Sequence, residues 1–146
     1  MPKLPLLLVF HALLTPLPAV AADGWAFRTE GGAKAGYVAD GGWAGLWFAC
    51  TPEGRRLFVS AGKTPRQTGI ERTVILDVDG TAFLQRMRTD SGSSTLSRPL
   101  TAAEAGALGA ALAKGKRAEI AMPAGRFVLP LNGSGKAMAA FAAACG

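Results

Sequence analysis

Cys50 and Cys145 are the only cysteines of this 146-residue chain, and the residues that open the chain set the compartment in which they are read. Met1-Pro2-Lys3 leads into an apolar run from Leu4 to Leu14, and the segment closes on Ala19-Val20-Ala21-Ala22. A positive start, a short apolar centre and a small-residue end form a secretory leader, with cleavage expected after Ala21 or Ala22. A membrane span takes about 20 apolar residues, and Pro5, Thr15 and Pro16 interrupt this shorter run. No cysteine stands at the expected cleavage point to carry a lipid anchor, and no transmembrane segment is expected after cleavage. We therefore expect a leader over 1–22, a periplasmic or secreted location, and one domain over 23–146. Two cysteines in an oxidising compartment pair by default. Their bridge would close a loop of 95 residues, which contributes about 4.7 kcal/mol in the chain-entropy model.

Export also limits the chemistry. The single histidine, His11, falls inside the leader, so the processed chain lacks the commonest general base. With both cysteines bridged, zinc or copper would have mainly carboxylates to draw on, a poor donor set for those metals; no metal and no cofactor are expected. Loss of Lys3 leaves 15 basic against 10 acidic residues, a net charge of +5. Such a surface suits an anionic envelope component or a protein partner, although it also serves plain solubility. Nucleic acid is not expected in that compartment.

The patterning along 23–146 is mostly that of strands. Gly24–Arg28 reads as a first strand, the Gly-rich 30–36 as a turn, and Tyr37–Ala39 as a short strand ending at Asp40-Gly41-Gly42. Trp43–Cys50 is apolar at alternate positions on both faces and reads as a central strand, followed by Arg56–Ser60. Thr73–Val78 and Thr81–Arg88 flank Asp79-Gly80, a pair suited to a type I′ hairpin turn because both positions need positive φ. The stretches 61–70 and 89–99 read as loops. Thr101 and Glu104 form a capping box, and the helix they open should end near Lys114-Gly115. A second hairpin is expected over 117–122 and 126–131, and then a final helix capped by Ser134, with Met138, Phe141 and Cys145 on one face. The expected class is α+β, mostly β: an antiparallel sheet or β-sandwich-like domain with one or two short packed helices and one disulfide.

Several stretches resemble chemical motifs. Gly133-Ser134-Gly135-Lys136 would be a phosphate loop only with glycine where Pro130 stands and a hydroxyl where Ala137 stands, and Gly62-Lys63-Thr64 fails in the same way at Leu57. Ser60 and Lys63 match Ser-x-x-Lys, without the companion motifs of the penicillin-binding enzymes. Asp77 and Asp79 could share one strand face, but a metal would need a third ligand from elsewhere. A glycosidase would need two facing carboxylates, for which Glu53, Glu71 and Asp90 are candidates. Arg55, Arg56, Arg72, Arg86, Arg88 and Arg98, with Lys63 and Arg66 nearby, concentrate cations in the middle of the chain. Guanidinium groups recognise planar anions, so these could form an anion or partner patch; equally they could be strand-edge charges that deter aggregation.

The end of the chain, with Leu129, Leu131, Gly133, Ala137 and Cys145 preceded by Gly115-Lys116-Arg117 and an apolar hairpin, resembles the tail of the invasion-associated locus B family and of similar periplasmic accessory proteins of type VI secretion. Trp47-Phe48-Ala49-Cys50 is similar to the Trp-near-Cys strand of the same group. The resemblance implies an exported β-sandwich-like domain with a packed helix that acts by binding, and it brings no catalytic residue. The functional expectation is a non-enzymatic periplasmic or secreted binding protein acting on an envelope component or partner protein. The alternatives are a small envelope hydrolase using carboxylates or Ser60, and an inhibitor or immunity protein that plugs an envelope enzyme with the 61–70 or 89–99 loop.

Overall fold

The computed structural model describes residues 22–60, 69–90 and 93–146; residues 1–21 of the expected leader, Lys63 and Arg66 lie outside these. Nine strands and two helices follow in the order β1 (Gly24–Arg28), β2 (Lys34–Ala39), β3 (Gly42–Thr51), β4 (Gly54–Ser60), β5 (Glu71–Val78), β6 (Thr81–Thr89), β7 (Thr95–Leu100), α1 (Ala102–Lys114), β8 (Arg117–Met122), β9 (Gly125–Pro130) and α2 (Ser134–Ala144). The strands form one antiparallel sheet ordered β1-β2-β3-β4-β7-β6-β5-β8-β9. Its two edges approach each other, because the Trp25 indole N–H on β1 donates to the Pro130 carbonyl on β9 at 2.8 Å. The sheet is therefore nearly closed. Mostly β, with two short helices and one disulfide, the chain has the expected fold class.

Local chemistry explains two of the hairpins. Asp79 and Gly80 have φ of 49° and 89°, as a type I′ turn requires, and Asp40 and Gly41 repeat the arrangement at 50° and 76°. Alternation then sorts the side chains: Leu46, Phe48, Leu57, Val59, Val74 and Leu76 are fully buried on the inner face, each contributing roughly 1.5–3 kcal/mol by leaving water. Gly45 interrupts β3 with a φ of 64°. There the β2–β3 register shifts, with Gly36 opposite Trp47 but Val38 opposite Trp43, and the resulting bulge bends the strand. A Cβ at Gly45 would stand 3.0 Å from both methyls of Leu129, so the bulge also seats β3 against β9.

Two expectations along the sheet are corrected. Strand β2 begins at Lys34, where a glycine-rich turn was expected through Gly36, because Lys34–Gly36 pairs with both β1 and β3. Within the expected 89–99 loop, Thr95 onward forms β7 and pairs with β4 along its length, from Arg55 opposite Leu100 to Ser60 opposite Thr95. Pro99 is tolerated because β6 joins β7 at only two positions, Arg88 opposite Ser97 and Thr89 opposite Leu96, which leaves the Pro99 end of β7 in an edge-like setting.

Both helices cover the inner face of the sheet. The capping box at α1 forms as expected, with the Glu104 N–H donating to Thr101 Oγ1 at 3.2 Å and the Thr101 N–H to Glu104 Oε2 at 2.8 Å; the helix ends at Lys114 with Gly115 as C-cap. Leu108 and Leu112 of α1 join Met138 and Phe141 of α2 in the core, and the Phe141 ring meets that of Phe48 at 5.9 Å. Ser134 is not the helix cap. Gly133 takes that position in a left-handed conformation, and the buried Ser134 hydroxyl instead shares its single proton between the carbonyls of Leu112 at 2.7 Å and Leu131 at 2.6 Å. Leu112 carries one of the last four carbonyls of α1, which have no partner within the helix, so this hydroxyl joins the two helices. Cys145 is bridged to Cys50 with Cα atoms 5.8 Å apart, clasping the end of α2 to β3.

Candidate functional site

The six singled-out arginines divide among separate settings. Arg86 and Arg88 share an exposed face of β6 and both reach Glu71, at 3.1 and 3.9 Å. Arg56 donates to Ser97 Oγ at 2.8 Å, and that hydroxyl passes the contact on to Asp90 at 2.6 Å. Since Ser97 lies opposite Arg88, these three arginines flank one another on the outer surface, with carboxylates already among them. Arg72 and Arg98 belong to the inner face. Arg98 spans the gap between β6 and β7, donating to Gln85 Oε1 at 2.8 Å and to Glu104 Oε1 at 2.7 Å. Donors from the Thr101 backbone and from Arg98 stabilise the charged form of Glu104 and hold its carboxyl below the usual glutamate range. Arg55 stands apart beside the disulfide, opposite Cys50 on the β3–β4 ladder.

The carboxylates noted in the sequence, Glu53 apart, have structural partners. Asp77 Oδ1 accepts from the Gly80 N–H at 2.8 Å, and Asp79 accepts from the backbone of Lys116 at 2.8 Å and Arg117 at 3.1 Å. With Glu119 they line a 340 Å³ hollow, but Glu119 is bridged by Arg117 at 3.2 Å and Arg126 at 3.0 Å. Among the described residues no group of three or more His, Cys, Asp or Glu side chains is arranged to hold a metal ion. Glu53 lies in the exposed β3–β4 turn, while Glu71 and Asp90 serve the arginine contacts above. Ser60 ends β4 opposite Thr95; Lys63, its counterpart in the Ser-x-x-Lys reading, is outside the described residues.

A second, mainly apolar concavity lies elsewhere. The helices run antiparallel: Gly135 at the start of α2 meets Ala113 near the end of α1, and an added Cβ there would stand 3.1 Å from the Ala113 carbonyl oxygen. Between them runs a groove of 290 Å³. Its α1 wall is Ala102, Ala105, Gly106, Gly109, Ala110 and Ala113; its α2 wall is Gly135, Met138, Ala139, Phe141 and Ala142; Arg55 supplies its one charged group. From Ala102 to Ala113 the trough runs about 16 Å at 1.5 Å per helical residue. The sequence carries a trace of it, small residues at helical spacing on both helices. That signal is ambiguous, because alanine and glycine at this spacing serve equally for close packing against a sheet.

Among the described residues no helix is long and apolar enough to cross a membrane. Fold and site together define a disulfide-clasped, mostly β protein whose nearly closed sheet is covered by two helices with an apolar groove between them. No family model, curated protein or solved structure matches the chain.

Proposed function

We propose that this chain is an exported, non-enzymatic binding protein and that the α1–α2 groove is its ligand site. The observation that carries the reading is the groove itself: a 290 Å³ trough walled by alanine and glycine with a single cation, Arg55. Ligand sites are concave and mainly apolar, with few polar groups to orient the occupant. The leader pattern, the disulfide and the resemblance to the invasion-associated locus B family support the same reading, a periplasmic or secreted protein that works by binding. The test is to titrate the isotopically labelled, oxidised chain with bacterial envelope extract and follow its amide resonances. Perturbation at Gly106, Ala110 and Ala139 is the expected result. Perturbation confined to the sheet exterior would reject the groove.

A second reading has its own observation. Leu84 and Ile75 are exposed at 67% and 38% on the outer face of the β5–β6 hairpin and pair directly across it, beside Arg86 and Arg88. An apolar pair flanked by arginines suits a protein partner, and the same titration would locate that contact.

A further inference from the structure

Resting on the groove as the ligand site, we infer that its ligand is an anionic single-chain amphiphile of the fatty-acid type, with its carboxylate at Arg55 and its tail between α1 and α2. The guanidinium of Arg55 has five N–H donors, and Nη2 donates to the Cys145 carbonyl at 2.6 Å. All ten acidic residues of the chain lie among the described residues, and none of them, nor the terminal carboxylate, forms an ion pair with Arg55. A half-buried guanidinium with donors to spare at the end of an apolar trough suits a planar carboxylate, which it can bind with two parallel hydrogen bonds.

The rest of the groove describes the tail. Its alanines and glycines offer no hydroxyl, amide or carboxylate side chain, so a sugar or peptide would lose its hydrogen bonds to water without replacement. An aliphatic chain has none to lose. Met138 and Phe141 form an apolar floor, only 6% and 3% exposed. The volume of 290 Å³ lies at the small end of ligand sites and accommodates one chain better than a two-chain lipid. Gly106 leaves the wall open, since a Cβ there meets no atom within 4 Å.

The test compares laurate with dodecanol, which share a tail and differ in head charge, by calorimetric and resonance titration below their aggregation concentrations. It uses the oxidised chain and two variants, Arg55→Gln and Gly106→Leu. Laurate should bind with resonance shifts confined to the groove, and its affinity should rise about fourfold per added methylene across octanoate, decanoate and laurate. Arg55→Gln should lose about tenfold or more for laurate and little for dodecanol. Gly106→Leu should lose both with no fall in melting temperature. Should Arg55→Gln fail to fold, tighter binding of laurate than of dodecanol by the wild type carries the head-group assignment. Equal affinity for the two amphiphiles would overturn that assignment and leave the groove standing. Binding of neither amphiphile, with envelope-extract shifts abolished by Gly106→Leu, would overturn the ligand class and keep the site. Gly106→Leu binding like the wild type would overturn both.

Discussion

Arg55 and Cys145 lie 90 residues apart in sequence, and the guanidinium of one donates to the carbonyl of the other at 2.6 Å. That contact satisfies a carbonyl at the end of α2 and sets a cation at the negative end of the helix. Cys50, opposite Arg55 on the neighbouring strand, holds the same point covalently. The disulfide should accordingly dominate the anchoring of α2. Replacing both cysteines by serine, or reducing the bridge, should lower unfolding stability by about 2–5 kcal/mol. Urea midpoints of the oxidised and serine forms measure this, and equal midpoints would refute it.

Ser134→Ala should destabilise by about 1–3 kcal/mol, because the Leu112 carbonyl is left buried without its donor. The loss should also raise amide exchange at the end of α1 and the start of α2, before exchange rises in the sheet.

Two glycines should respond with opposite signs. Gly45→Ala forces a side chain into a φ of 64°, at a cost of about 1–2 kcal/mol, and its methyl crowds Leu129. Gly106→Ala fills open space on a helix and should stabilise by about 0.5–1 kcal/mol. Thermal unfolding of the two variants reads both effects.

Glu104 sets an acid-range dependence. Its carboxyl is held below the ordinary value of about 4.3 by the Thr101 backbone and Arg98. Its contribution is therefore complete above that ordinary value and fades as pH falls through the lower folded value. At neutral pH, Glu104→Gln should cost less than about 1 kcal/mol, since the Arg98 contact is partly solvated. The stability curves of wild type and variant should converge as pH drops through the acid range, and a constant offset down to the lowest pH would exclude the ionised carboxylate as the cause.

Much of the fold was legible because its signals are short-range. Asp79-Gly80 dictates its own backbone, Thr101 and Glu104 sit one helical turn apart, and the alternation from Thr73 to Arg88 needs only neighbouring residues to sort two faces. Strand β7 was hidden because its Ser, Thr and Pro content argues locally for a loop, and only pairing with β4 overrides that preference. Ser134 was misread for a related reason: a hydroxyl at a helix start ordinarily caps its own helix, and its true acceptor on α1 is 22 residues away.

By itself the sequence determined the Asp-Gly hairpin, the capping box that opens α1 and, with only two cysteines to pair, the bridge between Cys50 and Cys145. Only the tertiary structure decided that the arginines would divide between two faces of the sheet, that α1 and α2 would leave a groove between them, and that Arg55 would stand at its end. Turns and caps are stabilised by contacts within a few residues, whereas the groove depends on the register of a nearly closed sheet, which brings β4 and the end of α2 together.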